Sequence, residues 1–330
     1  MLRIFHGTNY DFVKPWRIAV GLTIAFIAVG LVYLGMHGIN QSIEFTGGTL
    51  MQLEFTQPPD VGQIRATVDA AGFPNSEIQQ FGSPREFTVR AAGHAAAEGT
   101  AVENTAKQIQ TALERTFGAG NLKVVRTEIV GPRVGAELKR NAVIAILLSL
   151  VVTMIYLAIR FEWRFGVAAV IATGHDLLST LAFLAIMRLE VSLTVIAALL
   201  TVIGYSLNDT IIIFDRVRED LKKNRSDSLY TVLNKSINET LPRSVLTHVT
   251  VAAATLSLLL FAGEVIRPFS WIMLFGIVTG TFSSIYVAGP VLLWIERKWP
   301  RTKSDRNLAS RAAAKDSPRS EPRTPVTSSR

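Results

Sequence analysis

Asp209 stands inside an apolar run. It follows LTVIAALLTVIGYSL and precedes TIIIF, within the stretch IGYSLNDTIIIFDRVRE from Ile203 to Glu219, so its carboxyl cannot reach water by sitting at a helix end. A charge near mid-membrane costs roughly 2.5–3.5 kcal/mol on insertion scales, and acids kept there face a bundle interior or a wet cavity, often in proton relays. The chemistry open to such a group is reversible protonation, with Asn208 and Thr210 as flanking polar support. The plainer alternative is an acid that stays protonated and has a structural task.

A second buried polar stripe lies upstream. Thr173, Asp176, Ser179 and Thr180 recur at spacings of three and four and so share one helix face, with His175 beside them. Asp176 is about twelve residues from both Arg164 and Arg188, hence near mid-depth. His175 and Asp176 might suggest metal ligands, but adjacent helical residues diverge by about 100° and the zinc-type HExxH is missing, so no metal is expected. Downstream, SINETLPRSVLTHVTV carries Asn238 and Arg243, with Thr247 and Thr250 on the arginine's face and His248 on a neighbouring one. If the two helices run antiparallel, Arg243 enters from the side on which Arg216 is seven residues, about 10 Å, from Asp209. Arg243 then either approaches that acid or snorkels to the interface. Ser206 and His248 also raise an intramembrane serine protease, but Leu207 occupies the place of the second glycine in GxSG.

These residues need a membrane bundle to hold them. The chain has 330 residues, 49% hydrophobic and only 18% charged, against about 25% charge in soluble domains, and reads as an α-helical polytopic membrane protein. It contains no cysteine, which removes disulfides, thiol chemistry and cysteine-ligated metals. A polar lead (1–15) precedes a first span at 16–36, read as an uncleaved anchor. Five more spans are expected at 139–159, 165–187, 191–214, 241–262 and 268–295, forming a bundle over 139–298 with a polar loop at 215–240. The net charge of +8 does not signal nucleic acid, because the basic residues cluster in one set of short loops and in the tail, while the opposite short loops hold only Arg188 and Arg267. By the positive-inside rule both termini are cytoplasmic and residues 37–138 are exported.

The exported segment alternates strand and helix signals: TLMQLEF, a helix capped by Asp60 and closed by Gly72, SEIQQFG, EFTVRAA, a helix from about 97 to 117 closed by Gly118, and NLKVVRTEIVG. The order is β-α-β-β-α-β, the ferredoxin-like α+β motif. His94 stands alone in an Ala/Gly-rich loop and reads as solvated. The domain is flanked by FTGGT, with Gly47 and Gly48, and by VGPRVGAEL, with Gly131, Pro132 and Gly135. These read as hinges or tight docking points beside the membrane, or as ordinary linkers. Gly276, Gly280, Ser284 and Ala288 make a small-residue packing face on the last span. Residues 299–330 are a Ser/Pro/Arg-rich tail that cannot fold alone and meets lipid or a cytoplasmic partner, or simply solubilises the chain.

From about residue 15 to residue 298 the chain resembles the SecF family of bacterial protein-export subunits, related to the resistance-nodulation-division transporters. The resemblance rests on FTGGT, VGPRVG, GHD and, above all, GYSLNDTIIIFDRVRE with SINETLPRS. It implies six spans with one ferredoxin-like exported domain, no enzymatic activity, and no cofactor beyond protons as coupling ion. It also implies a separate SecD chain, the SecYEG translocon, YajC, exported preproteins and membrane lipids as partners. The implied work is the use of proton-motive force to assist export across the inner membrane. Asp209 and Arg243 are then implicated in proton conduction, and Asp176 is the family's further acid. Pro242 stands where a small polar or basic residue is expected, which leaves the helix geometry at Arg243 open. Small-molecule efflux driven by protons, and a passive scaffold, are the rival readings.

Overall fold

The computed structural model describes residues 9–91, 100–223 and 227–300; Arg3, His94 and the tail after 300 lie outside them. In chain order the elements are α1 (Trp16–His37), α2 (Ile43–Thr46), β1 (Gly48–Phe55), α3 (Val61–Ala70), β2 (Glu77–Gln80), β3 (Glu86–Ala91), α4 (Thr100–Phe117) and β4 (Leu122–Val130). Then come α5 (Pro132–Arg160), α6 (Trp163–Ile186), α7 (Leu193–Lys223), α8 (Leu229–Phe261), α9 (Arg267–Ser283), a π-helical turn at Ser284–Ala288, and α10 (Gly289–Lys298). Among the described residues, six helical runs are long and apolar enough to cross a membrane: α1, α5, α6, α7, α8 and the continuous α9–α10.

Two expected boundaries move, for one physical reason. The polar stretch 215–240 is not a loop, because α7 and α8 run through it and only the few residues after Lys223 separate them from Ser228. Hydropathy marks where apolar side chains end, whereas helix continues as long as the backbone is supported. Here Arg216–Glu219 (3.0 Å), Glu219–Lys223 (2.5 Å) and Lys235–Glu239 (3.8 Å) pair at helical spacing. Ser228 caps α8 by accepting from the Thr231 amide at 3.2 Å. Likewise α5 begins at Pro132, seven residues before the apolar run, with Gly131 as N-cap. A proline at the first helical position lacks only an amide that the helix would leave unpaired.

The non-membrane unit follows the expected element order, with strands arranged β2-β3-β1-β4 and every neighbour antiparallel. Alternation along β1 sends Met51, Leu53 and Phe55 to one face. There they pack with Ile64 and Val68 of α3, Ile109 and Leu113 of α4, and Phe87 and Val89 of β3. Asp60 caps α3 through the Gly62 amide at 3.1 Å, and Gly72 and Gly118 take positive φ where the two helices end.

This unit is tied to the membrane helices on two sides. Gly47 (φ +72°) lies where a Cβ would come within 2.8 Å of Pro132 Cα, and a Cβ on Gly135 would meet the Gly47 nitrogen at 3.0 Å. The two glycine-containing junctions are therefore packed against each other and neither is slack. On the other side, the linker after α1 adds to the α6–α7 turn: Val191 donates to Asn40 O at 2.7 Å, and Ser42 donates to Val191 O at 2.9 Å. Glu44 accepts from the Leu193 amide at 2.6 Å, a carboxylate at the positive start of α7. Arg90 of β3 pairs with Glu190 in the same turn and reaches Gln41 O at 3.2 Å.

Within the bundle, small residues set the approach of α9 to α7. A Cβ on Gly276 would lie 2.3 Å from Val202 Cγ2, and one on Gly280 would lie 2.8 Å from Ser206 Cβ. Gly30 of α1 meets Ala182 of α6 in the same way, at 2.2 Å. The core of the bundle is α6, α7 and α9. By contrast, α1, α5 and α8 expose long apolar stripes, such as Leu147, Leu148, Val151 and Ile155 of α5, as helices facing hydrocarbon or another apolar chain do.

Two outcomes follow. Gly276→Leu forces α7 and α9 apart and destabilises the bundle by about 1–3 kcal/mol, read as a lower melting midpoint in detergent with the non-membrane unit still folded. For the clamp at the α6–α7 turn, burial pushes the Glu190 carboxyl above its ordinary value of 4.5; Arg90 opposes that, and Glu77, Glu44 and Glu128 reinforce it. The docked form thus holds a proton better than the undocked one, so this contribution to docking is complete below 4.5 and is lost as pH rises through the raised value. Hydrogen-exchange protection of the Val191 and Leu193 amides, corrected for intrinsic rates, should increase on acidification, become independent of pH in Glu190→Gln, and fall in Arg90→Ala.

Candidate functional site

The two acids lie in one polar layer between two apolar clusters. On the side near the β-α-β-β-α-β unit, Leu184, Val195, Ala198, Leu199, Val202, Ile272 and Met273 pack together. On the other side Phe165, Phe214, Val217, Leu233, Ile237, Ile285 and Leu292 do the same. Asp176 is 1% exposed and Asp209 3%, so neither reaches solvent, and each must find its hydrogen-bond donors within the bundle.

Asp176 is held by α7 and α9. Ser206 and Ser283 both donate to Oδ2, the latter at 2.6 Å, and His175 Nδ1 sits 3.0 Å from Oδ1. The helical angle between residues 175 and 176 does not keep them apart, because the imidazole turns back toward its neighbour. Thr173, Ser179 and Thr180 are buried on the same face. Thr173 and Thr180 return their hydroxyls to backbone carbonyls one turn back. With the Ser206 hydroxyl donated to Asp176, Ser206 and His248 form no nucleophile–base pair. No cluster of three or more metal-ligating side chains occurs among the described residues.

Asp209 is held by α8. Ser244 donates to Oδ1 at 3.0 Å, and His248 Nε2 lies 3.5 Å from Oδ2. His248 in turn has Thr281 Oγ1 2.8 Å from its Nδ1 and the Tyr205 ring at a centroid distance of 5.3 Å. A cavity of about 10 Å³ opens beside the carboxyl, lined by Asp209, Thr240, Ser244 and Thr281 among the apolar Ile213, Ile237, Leu241 and Ile285. It has about the volume and the polar groups that one water molecule requires.

Arg243 acts on Asp209 through its charge and not by direct contact in this structure. Its side chain is exposed and forms no ion pair with Asp209, while Ser244 and His248, one and five residues on, face the acid. Helix α8 passes through Pro242 without ending. The proline withholds an amide from the carbonyl of Asn238. Asn238 is buried for a different purpose: its amide group bonds the backbone of Tyr10 at 3.0 and 2.8 Å, fastening the N-terminal segment to α8. Asn208 is exposed on the far face of α7. Thr247 turns its hydroxyl to Arg243 O at 2.9 Å. Thr210 shares a hydrogen bond with Ser284 at 2.7 Å.

Sequence reading overlooked Ser206, Ser244 and Ser283 as donors and Thr281 as the hydroxyl beside His248, and took the small-residue face of the last span as packing alone. In fact Gly280 gives Ser206 room, while Ser284 contributes a hydroxyl. The π-helical turn lets the adjacent Ser283 and Ser284 address Asp176 and Thr210 respectively. It arises where Pro290 offers no amide to the carbonyl of Tyr286. The signal lay in the spacing: serine at 206 is three residues before Asp209, and serine at 283 is three after Gly280.

Residues 108–298 match the family described as Protein export membrane protein SecD/SecF, C-terminal, and residues 32–59 match the SecD/SecF GG Motif. A protein named Protein translocase subunit SecF from Gemmatimonas aurantiaca is 60% identical over 305 residues, covering 91% of each chain. The one from Desulfurispirillum indicum is 43% identical over 286 residues, covering 86% of this chain and 90% of its own. A crystal structure of SecDF from Thermus thermophilus, described as a translocon-associated membrane protein, superposes with a TM-score of 0.77 at 36% identity over 88% of this chain. SecDF in a super-membrane-facing form gives 0.65 at 34% identity over 94%. The chain spans only 39% and 40% of those two SecDF chains. By sequence over nearly its whole length and by fold, the chain belongs to the SecF family of protein translocase subunits.

Proposed function

We propose that this chain is the SecF half of a complex that uses the proton-motive force to assist protein export across the bacterial inner membrane. Protons serve as its coupling ion, and it performs no covalent catalysis. Both termini are cytoplasmic, and the β-α-β-β-α-β unit is a ferredoxin-like domain on the exported side. A separate SecD chain supplies the other half. The SecYEG translocon, YajC and the exported preproteins are the further partners, with membrane lipid around the exposed stripes of α1, α5 and α8.

The observation that carries this reading is Asp209. It is a carboxyl 3% exposed between apolar layers, beside a cavity of about 10 Å³ where Thr240, Ser244 and Thr281 share the lining with four apolar side chains, and next to an imidazole. A permanently neutral structural acid needs none of these. Protonation of Asp209 removes its charge and loosens its hold on Ser244 of α8, so the packing of α7 against α8 depends on the proton. The start of α7 is bonded to the linker and the exported domain, which gives the proton a mechanical outlet. One proton crossing 100 mV supplies about 2.3 kcal/mol, whereas driving a two-state equilibrium from 1:99 to 99:1 takes about 5.5 kcal/mol. Potential acting on a single proton therefore biases the exported domain without switching it fully, and Asp176 is the candidate second site.

Asp209→Asn keeps the size and the hydrogen-bonding capacity but cannot carry the charge. In inverted vesicles with normal amounts of the complex, proton-driven completion of preprotein export should drop to the level seen without the complex. Export at the wild-type rate would overturn the reading.

A further inference from the structure

The contact between Asp209 and His248 needs a hydrogen in it, and the contact between His248 and Thr281 decides where that hydrogen comes from. Thr281 Oγ1 lies 2.9 Å from Ile277 O, within reach of its hydroxyl hydrogen. With that hydrogen on the Ile277 carbonyl, Thr281 accepts from His248 at 2.8 Å and the ring hydrogen is on Nδ1; with it turned to Nδ1 instead, the ring hydrogen is on Nε2 and points at Asp209. The opposite nitrogen, Nε2, faces Asp209 Oδ2 at 3.5 Å. A neutral ring with its hydrogen on Nδ1 turns a lone pair toward that oxygen, and a carboxylate turns another back. Buried side by side, two acceptors without a hydrogen repel and lack compensation from water. A single proton removes the conflict, either on Nε2 as imidazolium or on Oδ2 as carboxylic acid.

We propose that His248 exchanges this proton with Asp209 and is a second proton-carrying residue of the site, with Thr281 as the positioning residue that fixes its ring. In the transfer the Nε2–H bond breaks and an Oδ2–H bond forms. Imidazolium becomes neutral imidazole and carboxylate becomes neutral acid, and no further reactant is needed. This role rests on the proton-coupled reading of Asp209 and extends it. Arg243 does not fill the role, because a guanidinium keeps its proton at any physiological pH, whereas an ordinary imidazole titrates near pH 6.5.

The placement gives the exchange a direction along the bundle. Asp209 has the small cavity on one side, against Ile237, Thr240 and Leu241 of α8. His248 lies on the other side, one turn beyond Ser244 toward the end of α8 nearer the exported unit. The titratable and charged groups around His248 are few. From α7 they are Asp209 and Tyr205, whose hydroxyl is buried and has no partner among the described residues. Helix α9 presents the neutral Thr281, its own charge, Arg267, being at its far end. On α8 itself Arg243 makes no contact with Asp209 and acts on it at longer range through its charge. The charges of α10, Glu296, Arg297 and Lys298, lie at the opposite end of the bundle.

The test uses the full chain in lipid with its SecD counterpart, and two readouts. Proton flux in proteoliposomes should fall by about 100-fold in His248→Gln and lose its inflection in the histidine range. Thr281→Val should shift that inflection, and Thr281→Ser should restore it. Wild-type flux with an unchanged pH profile in His248→Gln overturns the proposal. The second readout is independent of flux: with ¹⁵N-labelled histidine, the resonance that disappears in His248→Gln should titrate at a different pH in Asp209→Asn. An unmoved titration overturns the shared proton even if flux is lost. Conversely, if Asp209→Asn conducts like wild type while the His248 titration still moves, it is the proton-coupled reading of Asp209 that fails and the pair that stands. Melting midpoints of the His248 and Thr281 variants separate misfolding from lost exchange.

Discussion

The structure is constrained by two carboxyl groups that must be satisfied away from bulk water. Asp176 and Asp209 sit between apolar clusters, and apart from His175 beside Asp176 their side-chain partners come from neighbouring helices. This explains why α6, α7, α8 and α9 carry serine or threonine at the same depth, and why α9 carries glycine where it crosses α7. Without side chains at 276 and 280 the two helices approach closely enough for Ser206 and Ser283 to share one oxygen of Asp176. The π-helical turn then redirects Ser284 toward Thr210. Packing that would serve only as architecture in another bundle here also delivers hydrogen bonds.

The same constraint links the membrane site to the exported unit. Helix α7 bears Asp209 and begins at the turn clamped by Glu44, Asn40 and the Arg90–Glu190 pair. From Leu193 to Asp209 is sixteen residues, about 24 Å of continuous helix, with no proline in between. A change in how α7 packs near Asp209 is therefore felt at a point where the exported unit is bonded to it. The mutual packing of Gly47 with Pro132 and Gly135 makes a second attachment, between the unit and the start of α5.

Much of this was legible in the sequence. Asp209 and Asp176 announced themselves as acids in apolar runs, and the strand and helix order of the exported segment could be read from alternation and capping alone. The partner of Asp209 was not legible, because helical periodicity groups residues on one helix but says nothing about how two helices are rotated against each other. A shift of one residue in facing puts Ser244 and His248 in contact with the acid and leaves Arg243 acting on it at longer range. Charge complementarity favoured Arg243, yet its long side chain finds solvent more readily than the bundle interior. The helical continuation through 215–240 was missed because hydropathy reports the thickness of apolar surroundings and not the length of a helix. The serine donors went unnoticed because an isolated serine in an apolar helix usually bonds its own backbone.

The central claim is that Asp209 gains and loses a proton inside the bundle. Infrared difference spectroscopy of the intact complex with its SecD counterpart, recorded as the pH on the exported side is lowered, reads this directly. The account predicts a carboxylic-acid carbonyl band that grows on acidification, is absent from Asp209→Asn, and changes frequency when Ser244 is replaced by alanine. A spectrum in which no carboxylic-acid band assignable to Asp209 changes with pH would contradict it.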